Sequence, residues 1–362
     1  MTALAFETPQ AAEPLPERDA VRLLVAAGER LRHAHFRDLP DVLRPGDLLV
    51  VNTSATLPAA LPASGDLWVH LSTPLPRPAR RGSGTAWWPD ESGETANGSG
   101  SWPADGYERW VVELRDGTER HRGGEAGTRI ALPGGAQAEL LARFRGSARL
   151  WAARLRLPEP LEAYLARHGR PIRYRHATAE RPLADYQTIF ARDPGSAEMP
   201  SAGRPFSDRL VTRLLARGIA FASITLHAGV SSLETGEPPY PERFRVAPAT
   251  AAAVDGAERV IAVGTTVMRA LETVARPDGT IEAGAGWTDL VIGPDHATRV
   301  VDGLITGWHE PESSHLQMLE AVAGREAVER SYAAALAHGY RWHEFGDSHL
   351  LLRRASSSSA GR

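Results

Sequence analysis

Apolar and polar positions alternate along this chain in two distinct rhythms. In "RPGDLLVVNTSATLPAAL" the stretch 48–51 is continuously apolar and follows a Pro45-Gly46 turn. That pattern predicts a strand covered on both faces. A second strand is expected over 21–26. From about residue 158 onward, strand-like runs ("FASITLHAG", "RVIAVG", "LVIG", "RVVDGLIT") alternate with helix-periodic stretches at 208–217, 267–275, 314–323 and 327–337. Ser314 and Gln317 have the spacing of a capping box, and Gly324 stands where that helix should stop. This alternation predicts an α/β domain with a largely parallel, barrel-like sheet.

The other rhythm lies between. "YERWVVELRD", "TRIALPGGAQAELLARF" and "ARLWAARLRLP" are short alternating runs divided by turns such as Pro133-Gly134-Gly135. They predict a small antiparallel β-barrel. The early strands belong with the later α/β pattern, so the barrel reads as an insertion. The expected division is 1–57 with 158–352 for the α/β domain and 58–157 for the inserted barrel. Within the insertion, 80–106 is rich in Gly, Ser and Trp and is expected to be disordered. Its Trp87, Trp88 and Trp102 either pack the loop on its own domain or stack bases. The polar tail 353–362 is expected to be disordered as well.

Composition narrows the chemistry. Cysteine is absent, which excludes disulfides, thiolate metal sites and thiol nucleophiles. Every cationic side chain is arginine, so a P-loop lysine and a Schiff-base lysine are excluded too. Arginine suits phosphate through its bidentate fork. The formal net charge of −3 gives no global field for nucleic acid. No apolar run could span a bilayer, and no signal peptide opens the chain. A cytoplasmic protein without a membrane partner is expected.

In parallel α/β sheets, ligands gather at the carboxyl ends of strands. The polar residues predicted there are Asn52-Thr53-Ser54, His227, Gly264-Thr265-Thr266, and Asp302, Thr306 and His309 around "RVVDGLIT". Gly264-Thr265-Thr266 opens a helix, whose free N–H groups suit one carboxylate better than a pyrophosphate. Alternatively the threonines simply cap the helix. His227 is either a general base or a hydrogen-bonded structural residue. "ARHGRPIRYRHATAER" carries Arg170, Arg173 and Arg175 in a basic stripe that either grips phosphates or faces solvent. No metal-ligand spacing and no G-x-S-x-G elbow occurs.

The ordered segments "PERDAVRLLV", "LRPGDLLVVNTSATLPAAL", "DYQTIFARDPGSAEMPSAGRPFS", "ITLHAG", "RVIAVGTTVMRALE", "GWTDLVIGP", "RVVDGLITGWHEPESSHLQMLEAVAG" and "YRWHEFGDSHLLL" resemble the S-adenosylmethionine:tRNA ribosyltransferase-isomerase family. The resemblance covers nearly the whole chain. It implies an α/β catalytic domain interrupted by a β-barrel, acting in queuosine biosynthesis. The implied reaction transfers and isomerises the ribosyl moiety of S-adenosylmethionine onto 7-aminomethyl-7-deazaguanine in tRNA, giving epoxyqueuosine. S-adenosylmethionine is a co-substrate, no metal is required, the tRNA anticodon arm is the partner, and a monomer is expected.

Carried onto this sequence, the resemblance assigns His227 as base or orienter, with Asp302 or Glu242 as the acid. Gly264, Thr265, Thr266, Arg269, Glu272, Thr306 and His309 would hold S-adenosylmethionine. Tyr186, Gln187, Asn52, Ser201 and Gly203 would contact the acceptor, and Arg170, Arg173 and Arg175 the tRNA phosphates. The chain departs from the family's pattern in places. Asn-Asp-Thr-Arg-Val is here Asn52-Thr53-Ser54-Ala55-Thr56, and Pro-Ala-Arg-Leu is Pro58-Ala59-Ala60-Leu61. The family's loop histidine is Pro205, and a lysine is Glu312. Lost positive charge weakens phosphate binding. These departures motivate two alternatives: a paralogue acting on another acceptor, or a catalytically degenerate S-adenosylmethionine-binding protein.

Overall fold

The computed structural model describes residues 13–75, 107–173, 179–230, 240–310 and 315–353. The Trp-rich stretch, Arg175, Ser314 and the tail beyond Arg353 lie outside them. The chain first lays down β1 (Arg22–Ala27), β2 (Arg30–His35), β3 (Asp47–Asn52) and the short β4 (Ser54–Thr56). It then builds β5 (Ala60–Pro62), β6 (Leu67–Pro74), β7 (Tyr107–Asp116), β8 (Glu119–Arg120), β9 (Arg129–Ala131), β10 (Gln137–Arg143) and β11 (Leu150–Arg156). Helix α1 (Leu161–His168) leads back to β12 (Asp193–Ser196), α2 (Asp208–Ala216), β13 (Ala220–Leu226), β14 (Glu242–Val246) and α3 (Pro248–Asp255). The chain ends with β15 (Arg259–Val263), α4 (Thr265–Thr273), β16 (Gly284–Thr288), β17 (Gly303–Thr306), α5 (His315–Ala323), α6 (Arg325–Ala337) and β18 (Ser348–Leu352).

Nine strands form one sheet in the order β16-β14-β13-β3-β15-β17-β18-β1-β2. Its middle, β13-β3-β15-β17, is parallel. The sheet as a whole is mixed rather than largely parallel. β14 and β16 add antiparallel on one side, and β18 runs antiparallel to β17. The β18 reversal follows from the connection. Two helices, α5 and α6, lie between β17 and β18, so the chain comes back to the sheet from the opposite end. The strand expected at "LVIG" is not one. The pairing segment is Gly284–Thr288, while Val291 is exposed and the Leu290 carbonyl accepts from Arg269 Nε at 3.1 Å.

The continuous apolar run of β3 is explained by its two covers. Leu48 and Val50 pack into a core with Val267, Leu271, Leu319 and Tyr332 on the side of α3–α6. Leu49 and Val51 pack with Phe36, Phe206, Leu210 and Leu214 on the other side. Both faces are therefore dry, as buried parallel strands require.

The inserted strands form a separate antiparallel sheet, β5-β6-β7-β11-β10-β9, with β8 on β7. Its own core holds Val69, Leu71, Val112, Leu140, Trp151 and Leu155. Among the described residues β5 and β9 do not pair, so the sheet is a curled half-barrel rather than a closed barrel. The outer edge of β5 is taken by another segment, since Ala60 and Arg170 exchange both backbone hydrogen bonds at 2.9 Å.

Asp47 clips the amino ends of β3 and β15 together. Its buried carboxylate accepts from Arg259 Nε at 2.8 Å and Nη2 at 2.6 Å, and from the Arg44 N–H at 2.9 Å. Asp47→Ala strands the Arg259 guanidinium and should lower the unfolding free energy by about 2–3 kcal/mol. Urea denaturation followed by tryptophan fluorescence measures it, and an unchanged midpoint contradicts the clip.

Candidate functional site

The site begins with an asparagine acting as a piece of backbone. At the carboxyl end of β3 the main chain turns away from β13 to become β4. Asn52 stays behind. Its Oδ1 accepts from the Leu226 N–H and the Ser54 N–H, each at 3.0 Å, and its Nδ2 donates to the Leu226 carbonyl at 2.8 Å. The side chain thus completes the β13 ladder while the backbone leaves, and the strands part. Nδ2 also approaches Thr266 Oγ1 at 3.4 Å.

Into the gap projects His227, one residue beyond β13. Its Nδ1 lies 2.8 Å from Ser54 Oγ, which lies 2.6 Å from Ser196 Oγ, which accepts from the Ala228 N–H at 3.0 Å. Two polarities satisfy this relay. The one in which Nδ1–H donates to Ser54 leaves a lone pair on Nε2, the form a base requires. Gly195 makes room for the ring, because a Cβ there would sit 2.3 Å from Nδ1. Burial, reinforced by Arg243 and opposed by Asp193, lowers the His227 pKa to about 4, so the imidazole is neutral at pH 7.

Beside it, Asp193 Oδ2 accepts from the Thr53 hydroxyl at 3.0 Å and from Thr225 at 3.2 Å. Burial pushes this carboxyl up. The hydrogen bonds from Thr53 and Thr225, with Arg192, outweigh burial and hold it below its ordinary value. A carboxylate therefore lies against Thr53, where the family's pattern has its own acid.

β15 ends in Gly264, whose φ of +99° favours glycine, and α4 starts at once. No side chain caps this helix, so neither threonine serves as an N-cap. Ala202, between Ser201 and Gly203, lies against Gly264, and a Cβ added there would sit 3.5 Å from the Ala202 methyl. At the end of β17, Thr306 Oγ1 bonds His309 Nε2 at 2.8 Å, and the His309 ring stacks on His315 with centroids 4.5 Å apart. Burial, then neighbouring histidines His315, His343 and His349, keep His309 well below its ordinary pKa.

Asn52, His227, Gly264, Thr265, Thr266, Ser201, Gly203, Thr306 and His309 thus gather at the carboxyl ends of β3, β13, β15 and β17. Glu242 and Arg269 stand next to it as a buried ion pair. Glu242 also accepts from the Gly229 N–H at 3.0 Å, and Arg269 donates to Leu290 O and Thr288 O. The other predicted residues lie elsewhere. Asp302 precedes β17, accepting from the Val260 N–H at 3.0 Å and pairing with Arg353 at 2.6 Å, at the opposite end of the strands. Glu272 binds the N–H groups of Arg299, Val300 and Val301. Gln187 clamps the backbone of Thr56 with both ends of its amide, and Tyr186 stands with Arg170 and Arg173 around a separate cavity. Ser196, Gly195 and Asp193 carried no signal in the sequence beyond their place in a quoted segment. Among the described residues no group of three or more His, Asp or Glu could hold a metal ion.

His349 is fully buried, stacked on Trp308 with centroids 4.5 Å apart, and neither ring nitrogen has a hydrogen-bond partner among the described residues. Burial lowers its pKa to about 3. The unfolded chain binds this proton below about pH 6.5, the folded chain only near 3. Stability therefore falls as pH drops through that window. His349→Met should flatten the slope between pH 6 and pH 4 by about one proton, or about 1.4 kcal/mol per pH unit. Urea midpoints taken across that range would expose an unaltered slope.

Comparison with known proteins identifies the family. The family model described as "Queuosine biosynthesis protein" matches residues 3–351. An S-adenosylmethionine:tRNA ribosyltransferase-isomerase from Moorella thermoacetica is 36% identical over 370 residues, covering 94% of this chain and 96% of that protein. One of the same name from an Anaeromyxobacter species is 37% identical, covering 96% and 97%. The crystal structure of S-adenosylmethionine tRNA ribosyltransferase from Thermotoga maritima matches with a TM-score of 0.51 at 26% identity, over 97% of this chain and 100% of that one. The chain belongs to the queuosine biosynthesis protein family of S-adenosylmethionine:tRNA ribosyltransferase-isomerases.

Proposed function

We propose that this enzyme transfers the ribosyl group of S-adenosylmethionine to the aminomethyl group of 7-aminomethyl-7-deazaguanine in tRNA and isomerises it to the epoxycyclopentane of epoxyqueuosine. Adenine and methionine leave. The observation that carries the reading is the juxtaposition, at the carboxyl ends of the parallel strands, of an uncapped helix start and a buried neutral histidine on a hydroxyl relay.

The sulfonium acidifies the ribose carbon attached to it. A neutral imidazole can take that proton onto its free Nε2, while Ser54 and Ser196 fix the ring. Asp193, a carboxylate in the field of His227, stabilises the imidazolium that forms. The first N–H groups of α4 suit the methionine carboxylate, by partial positive charge and by unfilled donors. Glu242 and Arg269 hold the Gly229 turn behind His227 rather than meeting the substrate.

Adenine release from S-adenosylmethionine, with and without deazaguanine-bearing tRNA, tests the function. Release that requires the tRNA supports it. Release without tRNA indicates another acceptor, and no release with intact ligand binding indicates a degenerate enzyme. His227→Gln should lower turnover by about 10²–10⁴-fold. The acidic limb of kcat/KM should lie near pH 4 and vanish in the variant. A parental rate removes His227 from the mechanism. Thr265→Val should weaken S-adenosylmethionine binding roughly 5- to 30-fold by calorimetry. Unchanged affinity moves the carboxylate elsewhere.

A further inference from the structure

A cavity of about 190 Å³ lies where the half-barrel meets the segment after α1. The share of liquid volume of one water is about 30 Å³, so the space admits a ring system rather than a lone ion. Two side chains of β6 line it. Trp68 and His70 are two residues apart and share a face of the strand. Arg170, Arg173, Arg181, Tyr186 and the carboxylate Glu180 line it as well.

Each part is positioned by the fold. Arg170 is brought in by its backbone bridge to Ala60. Gly169 permits that bridge, because a Cβ there would lie 2.0 Å from the Pro58 carbonyl oxygen. The Arg170 guanidinium stands 5.8 Å from the centre of the Trp68 ring. His70 is buried, and its Nδ1 has no hydrogen-bond partner. Burial, with Arg115 opposite, keeps its ring neutral.

The arginines are available. Arg170 pairs with Glu180, and Arg181 with Glu13 at 3.3 Å and Asp185 at 3.5 Å, and these acidic partners are mostly exposed. Solvent-exposed pairs of this kind are weak and exchangeable. Arg173 has no ion pair or hydrogen bond with any described residue. The same strand leads to the candidate site. Two positions past His70, at a bulge, Ser72 Oγ accepts from the N–H of Val230, three residues beyond His227.

We infer that this cavity binds one unpaired nucleotide of the RNA substrate, its base on Trp68, its phosphate on Arg173 and Arg170. An aromatic face beside a guanidinium fork is what single-stranded nucleic acid requires. The inference rests on the proposed tRNA reaction and adds a neighbouring nucleotide to the one that reacts.

The test uses the full chain and two fluorescein-labelled RNAs, a hairpin with an unpaired loop and a duplex of equal length. Trp68→Ala should weaken hairpin binding roughly 5- to 150-fold and Trp68→Phe should restore most of it, with duplex binding little changed. Arg173→Ala should lower the slope of log affinity against log salt by about one. S-adenosylmethionine binding, followed by calorimetry, should remain parental in all three. Hairpin affinity unchanged in Trp68→Ala and Arg173→Ala overturns the subsite, and tRNA-dependent adenine release then still stands. Equal loss on hairpin and duplex also overturns it, indicating general electrostatics. If Trp68→Ala loses S-adenosylmethionine as well, Arg173→Ala, a change at a side chain without a hydrogen bond or ion pair to any described residue, decides alone. A parent chain that binds neither RNA and releases no adenine with tRNA sinks the functional reading and the subsite together.

Discussion

The three hydrogen bonds of Asn52 are the constraint on which the site depends. A parallel sheet has no natural opening in its middle, because adjacent strands hold each other by a continuous ladder. Asn52 substitutes a side-chain amide for a peptide at the point where β3 must leave β13. The ladder stays satisfied, and the backbone is free to turn into β4. Without that substitution, Leu226 would bury an unpaired N–H and C=O, a cost the fold could not absorb lightly. The crevice is therefore a product of hydrogen-bond conservation, not of loose packing. His227 enters it because β13 ends one residue earlier.

Parts of this were legible in the sequence. The run 48–51 announced a strand dry on both faces, and the two covering cores confirm the reason. The transition from "VIAV" through Gly264 to a helix was equally plain, since period two gives way to period 3.6 across a glycine. The half-barrel's alternation was also readable, though not its failure to close. That depends on Arg170 reaching the edge of β5 from more than a hundred residues away.

What the sequence hid shares one cause, a pairing between distant positions with no local pattern. Glu242 and Arg269 looked like separate candidates for separate tasks, and they are one buried pair. Asp302 stood at a strand by pattern, but its place at the amino end of β17 follows only from the register with β15. Ser196 gained meaning solely by lying against Ser54. The apparent loss of an acid after Asn52 was likewise a local view, for Asp193 brings a carboxylate to Thr53 across the β4–β12 pairing.

That pairing has a mechanical side. The chain leaves the large sheet through β4 and comes back toward it through β12, and these two strands pair as a small sheet of their own. The hydroxyls of Ser54 and Ser196, one from each strand, meet across it at 2.6 Å. A shift of β12 against β4 stretches the contact on which the His227 ring rests, so the strand pairing and the aim of that ring are mechanically linked.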